Sequence, residues 1–296
     1  MESHTSATEL YNLLQDPARP KIVIDVRPLE DYKRLAVRTS IHLSLDTQDP
    51  PERWTLDLLK TSVHCVKYFW NDTECELKES KDWGLRGLMF NTIVFVDNDG
   101  DSPAAIRLRE LVIQEARTGV TSVTILQGGV HNFSSTYPFL CSSHSASNKA
   151  VDGLFPTELI QDCLYLGSYE NATNLEQLNL LHITHVLNMG DELENKYPDM
   201  FNYLKCGLDD TSANNIAQFF EKCIEFIRNS GGRVLVHCAM GISRSSAISI
   251  AYMMRKNNWN FEKAKEFVRS QRSTIKPNDG FTAQLKEWQS LGESQQ

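Results

Sequence analysis

One short segment near residue 240 restricts the fold of this chain more than any other. Residues 234–237 form an apolar run typical of a buried strand, and residues 245–254 are apolar on nearly every side, as in a central buried helix. Only a short turn separates the two runs. A strand that passes so directly into a helix is a unit of an open α/β sheet, where ligands bind at the carboxyl ends of the strands. We therefore expect the chemistry of this chain to lie in that turn.

Strands and helices alternate along the rest of the chain as well. The spacing of apolar residues predicts strands at residues 21–26, 92–96, 122–126, 163–166 and 184–188. It predicts helices at residues 8–14, 104–115, 216–228, 261–269 and 280–291. Residues 67–88 fit neither period, and we expect a loop or an insertion there. The pattern predicts the α/β fold class for both halves of the chain.

A stretch of small polar residues divides the chain. At 296 residues the sequence is longer than one hydrophobic core usually spans. Residues 142–148 have the composition of a linker. We therefore predict two α/β domains, at residues 1–141 and 156–296, joined by a linker at residues 142–155.

Composition excludes several classes of function. The formal net charge of −8 argues against binding to nucleic acid or to an anionic membrane through overall electrostatic attraction. The 7 cysteines are scattered without a C-x-x-C pair, so we expect neither a disulfide framework nor a zinc site. The amino terminus does not resemble a signal peptide, and no apolar stretch reaches the roughly 18 residues that span a bilayer. We expect a cytoplasmic protein, with or without a nuclear pool, that has no membrane span.

The turn joins a thiol to a guanidinium, Cys238 to Arg244. Between them lie Ala239, Met240, Gly241, Ile242 and Ser243. Successive backbone N–H groups of such a turn can form an anion-binding concavity, and the helix amino terminus adds positive charge. Arg244 can offer a bidentate fork to two phosphate oxygens, and Gly241 gives the turn backbone freedom. We expect this field to favour the nucleophilic thiolate of Cys238, with His237 and the Ser245 hydroxyl placed to hold or hydrogen-bond the sulfur.

Attack of a thiolate on phosphorus forms a phosphocysteine and expels an oxygen that needs a proton. Asp209 and Asp210 lie on a polar loop before the predicted helix at residues 216–228. One of these carboxylates would supply the general acid. The residues alone leave a second interpretation open, in which both are solvated loop carboxylates. They also leave open a buried cysteine beside a surface arginine, although the coincidence of spacing, glycine, strand and helix disfavours it.

Two motifs resemble those of a known family. Residues 237–245 resemble the H-C-x-x-G-x-x-R-S signature of cysteine-based dual-specificity protein phosphatases, and residues 277–285 are similar to their P-N-x-G-F-x-x-Q-L segment. The resemblance covers about residues 158–289. It implies that Asp210, nine residues before the aromatic Phe219, is the general acid and base, with Cys238 as the nucleophile.

The resemblance also implies a substrate class. Ala239, Met240 and Ile242 are apolar, unlike the lysine-bearing loops of family members that act on phosphoinositides. We therefore expect phosphoprotein substrates, dephosphorylated at tyrosine and at serine or threonine, without a metal or other cofactor.

The first half is similar to rhodanese-like domains at residues 24–27, 30–32 and 126–129. Catalytic rhodaneses carry a cysteine after the third strand, where this chain has Asp97 in the loop at residues 96–102. Aspartate cannot form a persulfide, so we expect a docking or regulatory module and not a sulfurtransferase.

A rhodanese-like domain followed by a phosphatase domain is the layout of mitogen-activated protein kinase phosphatases. It is also the layout of the serine/threonine/tyrosine-interacting-like pseudophosphatases, so a phosphoprotein-binding scaffold is the alternative function. That group lacks the nucleophile, whereas Cys238 is present here, and its inactivity does not carry over. A protein kinase is one candidate partner, but Lys33, Arg34 and Arg38 are spaced out and favour a solvated surface over a docking run of arginines.

Overall fold

The computed structural model describes residues 3–45, 50–54, 63–70, 73–77, 92–115, 120, 122–142 and 153–293. The chain divides into two units, Met1–Ala150 and Val151–Gln296. Each unit contains its own sheet and its own helices, which confirms the predicted α/β class. Most of the predicted linker, residues 143–152, lies outside the described residues, so its bounds stay a prediction.

The first unit is built on a seven-stranded sheet in the order β1-β8-β7-β2-β4-β5-β6. Its strands are β1 His4–Thr5, β2 Lys21–Asp25, β4 Ile41–Leu45, β5 Val63–Trp70, β6 Thr73–Leu77, β7 Thr92–Val96 and β8 Ser122–Leu126. The neighbouring strands β1, β8, β7, β2 and β4 pair in parallel, and β5 and β6 add antiparallel pairs at one edge. A separate antiparallel pair joins β3 Ala36–Val37 to β9 Cys141–Ser142.

Within the described ranges of this unit, four helices accompany the sheet: α1 Ala7–Gln15, α2 Leu29–Arg34, α3 Pro103–Glu115 and α4 Gly129–Thr136. Short 3₁₀ helices lie at Pro51–Arg53 and Pro138–Leu140. The first helix begins where it does because Ser6 and Glu9 form a capping box, each side chain accepting a hydrogen bond from the backbone N–H of the other. Its apolar face buries Leu10 and Tyr11 completely.

The expectation of a loop at residues 67–88 is wrong for part of that segment. Residues 67–70 complete β5, and residues 73–77 form β6, which pairs with β5 in antiparallel register. Val, Tyr, Phe and Trp give this run the composition of a strand, although its apolar residues do not alternate cleanly. Residues 78–91 lie outside the described residues.

The second unit has a five-stranded sheet in the order β10-β11-β14-β12-β13. Its strands are β10 Thr157–Ile160, β11 Leu164–Gly167, β12 Ile183–Asn188, β13 Asn202–Lys205 and β14 Arg233–His237. Its helices are α5 Tyr169–Thr173, α6 Leu175–Leu180, α7 Phe220–Asn229, α8 Arg244–Asn257, α9 Phe261–Gln271 and α10 Asp279–Glu293, with a 3₁₀ turn at Ala217–Phe219. The central strand β14 is parallel to both of its neighbours, β11 and β12.

The core of this unit lies around the central strand and the helix that follows it. Every residue of α8 from Arg244 to Met254 is buried, which confirms the expectation of a central helix. Ile248 and Ile250 are fully buried, and each such side chain contributes about 1.5–3 kcal/mol of transfer free energy. The β14–α8 turn is therefore fixed at both ends by core packing. In the ranges that the structure describes, no helix is long and apolar enough to cross a membrane.

Candidate active site

Cys238 stands at the carboxyl end of the central strand, as the sequence predicts. Its side chain is only 2% exposed. The Ser245 hydroxyl lies 3.1 Å from the Cys238 sulfur and can donate a hydrogen bond to the thiolate. This hydroxyl belongs to the first turn of α8, so the sulfur faces the amino terminus of a helix, where negative charge is stabilised.

The carbonyl groups of the turn are held on its outer side. Arg272 donates to the carbonyls of Met240 and Gly241, at 3.3 and 3.1 Å. Backbone N–H groups of Tyr169 and Lys276 donate to the carbonyls of Ala239 and Ile242, at 3.0 and 2.8 Å. Because the carbonyls bond outward, the turn can present its amides to the inner side.

The N–H groups of the turn are the next feature of the site. Within the described part of the chain, no oxygen accepts a hydrogen bond from the N–H groups of residues 239–243. Buried or half-buried backbone donors are nearly always paired in folded proteins. A run of such donors beside a thiol and an arginine is therefore a concavity suited to an oxyanion.

Gly241 lets the turn curl. Its φ of +69° lies in the left-handed region, and a Cβ at this position would come within 2.6 Å of the backbone oxygen of Gly167. A side chain here would strain the backbone and also collide with β11, which is itself paired with β14.

We expect Gly241→Ala to reduce phosphatase turnover by at least about tenfold and stability by roughly 1–3 kcal/mol, the usual worth of a strained backbone position. Turnover of an aryl phosphate and thermal unfolding measure the two effects. Gly231→Ala is the matched control, because Gly231 has a φ of +61° but a Cβ added there would meet nothing within 4 Å. Equal losses in both variants would contradict the role of the collision.

Arg244 is 4% exposed and makes a dense set of contacts. Its two terminal nitrogens donate to the carboxylate of Glu192 at 2.8 and 2.7 Å, and Nη1 also donates to the Leu208 carbonyl at 2.8 Å. Burial disfavours its charge, but the hydrogen bonds to Glu192 and the charges of Cys238, Glu192 and Asp210 raise the pKa of Arg244 above its ordinary value. The guanidinium is therefore charged at neutral pH.

Sequence reasoning missed Glu192. It follows β12, the strand that lies beside β14 in parallel, so its carboxylate reaches the edge of the sheet where Cys238 lies. Carboxylates just past the end of a neighbouring parallel strand are the signal that would have found it. Strand order, which that inference needs, is not readable from the sequence.

Asp210 faces the turn, and Asp209 does not. The Asp210 Oδ1 atom accepts hydrogen bonds from the Ser243 hydroxyl at 2.7 Å and from the Asn278 amide at 2.9 Å. Its Oδ2 atom lies 3.8 Å from Nε of Arg244. Asp209 is exposed. The structure thus places the Asp210 carboxylate at the turn, beside Ser243 and Arg244.

Asn278 links the second motif to the first, which the sequence alone did not reveal. Its backbone N–H donates to the Ser243 hydroxyl at 3.2 Å, and its side chain donates to Asp210. Asn278 also caps the segment entering α10, since its Oδ1 accepts from the Phe281 N–H at 2.9 Å. The motif at residues 277–285 therefore orients the carboxylate of Asp210.

The expectation of a hydrogen bond from His237 to the Cys238 sulfur is wrong. The ring is buried, and neither ring nitrogen makes a hydrogen bond to the Cys238 sulfur. Burial lowers the pKa of His237 to about 4, so the imidazole is neutral at physiological pH. The ring packs beside Tyr169, 6.2 Å between centroids, because β14 turns its last side chain into the core. Of the two expected partners, Ser245 makes the contact with the sulfur.

In the first unit, the loop after β7 carries no thiol. Asp97 is buried, and its carboxylate accepts hydrogen bonds from the backbone N–H groups of Gly100 and Ser102, the latter at 2.8 Å. The loop therefore folds around its own carboxylate. That the unit does not transfer sulfur stays a prediction.

Each of the two units matches a known protein family. Residues 164–291 match the family model described as "Dual specificity phosphatase, catalytic domain", and residues 6–136 match the "Rhodanese-like domain". A "Probable rhodanese domain-containing dual specificity protein phosphatase" of Dictyostelium discoideum is 34% identical over an alignment of 330 positions, which covers 97% of this chain and 69% of that protein. This chain belongs to the dual specificity protein phosphatases. Both modules inferred from the sequence motifs are confirmed.

Other relatives of this phosphatase align with parts of the chain. Human dual specificity protein phosphatase 2 is 36% identical over 207 residues, covering 64% of this chain and 65% of that protein. Among solved structures, the human tyrosine phosphatase-like serine/threonine/tyrosine-interacting protein is 33% identical, covers 47% of this chain and 98% of its own, and has a TM-score of 0.44. The curated relatives are phosphatases, which favours the catalytic interpretation over the scaffold alternative.

Proposed function

We propose that this phosphatase removes phosphate from tyrosine and from serine or threonine of phosphoproteins through a phosphocysteine on Cys238. The observation that supports it best is the run of unpartnered amides at residues 239–243 around a buried sulfur, with the charged Arg244 at its end. A tetrahedral dianion suits such a site, because its oxygens can accept hydrogen bonds from several N–H groups and its negative charge is attracted by the guanidinium.

In the first step, the Cys238 thiolate attacks phosphorus, a P–S bond forms and the P–O bond to the substrate side chain breaks. The amides of the turn and the guanidinium stabilise the charge that builds on the three equatorial oxygens. The leaving oxygen takes a proton from Asp210. Two donors already occupy Oδ1 of Asp210, so Oδ2 is the oxygen placed to carry that proton.

In the second step, water hydrolyses the phosphocysteine. Asp210, now ionised, accepts a proton from the attacking water as its oxygen bonds to phosphorus and the P–S bond breaks. Inorganic phosphate leaves, and the thiolate is restored beside the Ser245 hydroxyl. The step needs no redox partner, because the phosphorus keeps its oxidation state throughout.

The surface around the turn agrees with a protein substrate. Met240, at the tip of the turn, is 68% exposed and offers an apolar contact to a peptide.

In the first unit, Arg34 pairs with Asp31, and Arg38 donates to the Cys141 carbonyl at 3.2 Å. Because both arginines already have partners within the chain, we propose no kinase docking through them.

Phosphate release from matched peptides carrying phosphotyrosine, phosphoserine or phosphothreonine tests the proposal directly. We expect turnover on all three, and rapid acid quenching should leave one phosphoryl group on the peptide that contains Cys238. Tight binding of all three peptides without any release would instead establish the scaffold alternative.

We expect Asp210→Asn to lower kcat by roughly 10²–10⁴-fold on a phosphopeptide, the usual worth of a general acid. The loss should shrink on nitrophenyl phosphate, whose leaving group departs without a proton. Asp209→Asn makes the same chemical change on an exposed neighbour and should leave kcat unchanged. The assignment fails if the two variants lose equal activity, or if the loss is independent of the leaving group.

A further inference from the structure

Two thiols that the proposed mechanism does not use lie in contact in the core of the second unit. The sulfur atoms of Cys206 and Cys223 are 3.8 Å apart, and both cysteines are free. The two residues are 1% and 0% exposed. A disulfide has an S–S bond of about 2.05 Å, so the sulfurs need to approach by only about 1.8 Å to form one.

Regular secondary structure holds both cysteines in place. Cys206 is the first residue after β13, and its backbone N–H donates to the carbonyl of Asn188 at 2.8 Å, which continues the pairing of β13 with β12. Cys223 lies on the buried face of α7, with Phe220 and Ile227. All these apolar side chains belong to one core cluster of the unit. The contact between the sulfurs is therefore set by core packing and not by a loop.

The segment between the two cysteines carries the proposed general acid, Asp210. A bond between the sulfurs would join the start of this segment to the helix that follows it, and would close the loop from residue 206 to residue 223. Cross-links of this kind stabilise a fold mainly by restricting the unfolded chain. The catalytic sulfur of Cys238 is not part of the link.

The two thiols differ in how readily they lose a proton. The Cys223 thiol donates a hydrogen bond to the Cys206 sulfur, and this hydrogen bond lowers the pKa of Cys206. The same hydrogen bond, together with burial, raises the pKa of Cys223. Cys206 is therefore the sulfur that ionises first and attacks an oxidant, and Cys223 is the thiol that completes a disulfide.

We propose that Cys206 and Cys223 are a modification site, at which hydrogen peroxide converts the two thiols into a reversible disulfide that stabilises the second unit. The Cys206 thiolate attacks a peroxide oxygen, an S–O bond forms, the O–O bond breaks and hydroxide leaves. The Cys223 sulfur then attacks the Cys206 sulfur, the S–S bond forms, the S–O bond breaks and a second hydroxide leaves. The two thiol protons turn both hydroxides into water, so the pair loses two electrons and the peroxide gains them.

Burial of the pair selects the oxidant. Neither sulfur is exposed, so a bulky disulfide such as oxidised glutathione does not reach the pair while the core is closed. Hydrogen peroxide has only two heavy atoms and enters through small local openings of the packing. The modification requires no turnover of phosphate, so its test and the test of the proposed function can fail separately.

Peptide mapping of the full chain tests the proposal. Lys205 precedes Cys206 and Lys222 precedes Cys223, so trypsin places the two cysteines on separate peptides, residues 206–222 and 223–228. After peroxide treatment and alkylation of the remaining thiols, we expect these two peptides as one linked pair. Its mass should lie two hydrogens below the sum of the free peptides, and dithiothreitol should separate it.

Single substitutions identify the sulfurs that react. Cys238→Ser removes the catalytic sulfur and should form the same link, as should the matched control Cys163→Ser, which removes a half-buried thiol. Cys223→Ser should form no link. A link from Cys206 to Cys163 or Cys238 would overturn the proposal. So would complete oxidation of Cys238 by peroxide while Cys206 and Cys223 both stay free thiols.

Thermal unfolding measures the effect of the link on stability. In the Cys238→Ser variant, oxidation should raise the unfolding midpoint of the second unit by roughly 5 °C, the order expected for a cross-link that closes a loop of this length. Dithiothreitol should reverse the rise, and adding Cys206→Ala to the variant should abolish it. A midpoint that falls on oxidation would show that the core does not accommodate the bond, which contradicts the proposal.

Discussion

Cys238→Ser is expected to reduce phosphate release by on the order of 10⁴-fold or more, comparable to the loss of the nucleophile in other covalent enzymes. A serine hydroxyl at the same buried position keeps the shape of the site. At neutral pH it is a far weaker nucleophile than a thiolate. The Ser245 hydroxyl, 3.1 Å from the sulfur, would then contact a neutral oxygen. Initial rates on an aryl phosphate and on a phosphotyrosine peptide measure the loss.

Binding should survive the same substitution. The amides of residues 239–243 and the guanidinium of Arg244 are untouched, so the variant should bind a phosphopeptide within a few-fold of the wild-type affinity and trap it. Cys163→Ser is the matched control, because Cys163 is half-buried and burial raises the pKa of its thiol. Residual activity above a tenth of wild type in Cys238→Ser, with wild-type activity in the control, would disprove the assigned nucleophile.

The second large effect is expected for Arg244→Lys. Lysine keeps the positive charge but has no planar fork, so it cannot bind Glu192, the Leu208 carbonyl and a phosphate at the same time. We expect kcat/KM to fall by roughly 10³-fold, the order found when an arginine that stabilises transferring phosphate is lost. Steady-state kinetics on the same two substrates measure the fall.

Arg255→Lys is the control for that change, on the same helix. Arg255 is exposed, pairs with Glu221 and stacks over the Trp288 ring, and none of these groups belongs to the site described above. It should retain wild-type kcat/KM. If Arg244→Lys retained more than a tenth of the wild-type value, charge alone would suffice, and the bidentate role of Arg244 would be wrong.

The fold was predictable where periodicity is strong. The strands at residues 92–96 and 122–126 agree with β7 and β8 to the residue, and the apolar helix after residue 244 is buried as expected. Periodicity failed at the β5–β6 hairpin, because an edge hairpin rich in aromatic residues shows neither clean alternation nor a helical face. Very short strands such as β1 and β3 carry too few residues to show a period.

The residues alone predicted the part of the site that is close along the chain, and the family resemblance added Asp210. Cys238, Ser245 and Arg244 are neighbours in sequence, and a strand, a turn and a helix place them together whatever the rest of the domain does. His237 shows the limit, because its ring turns into the core and loses the contact expected from its position beside the nucleophile.

The amino-acid sequence by itself determined the two α/β modules, the thiol, the guanidinium and the turn between them, since these depend on residues that are close along the chain. The tertiary structure decided which distant groups meet that turn. Glu192 and Asp210 arrive after different strands and Asn278 just before the last helix, and each reaches the turn only because β14 lies at the centre of the sheet. Strand order follows from long-range packing, which the local pattern of apolar residues does not specify.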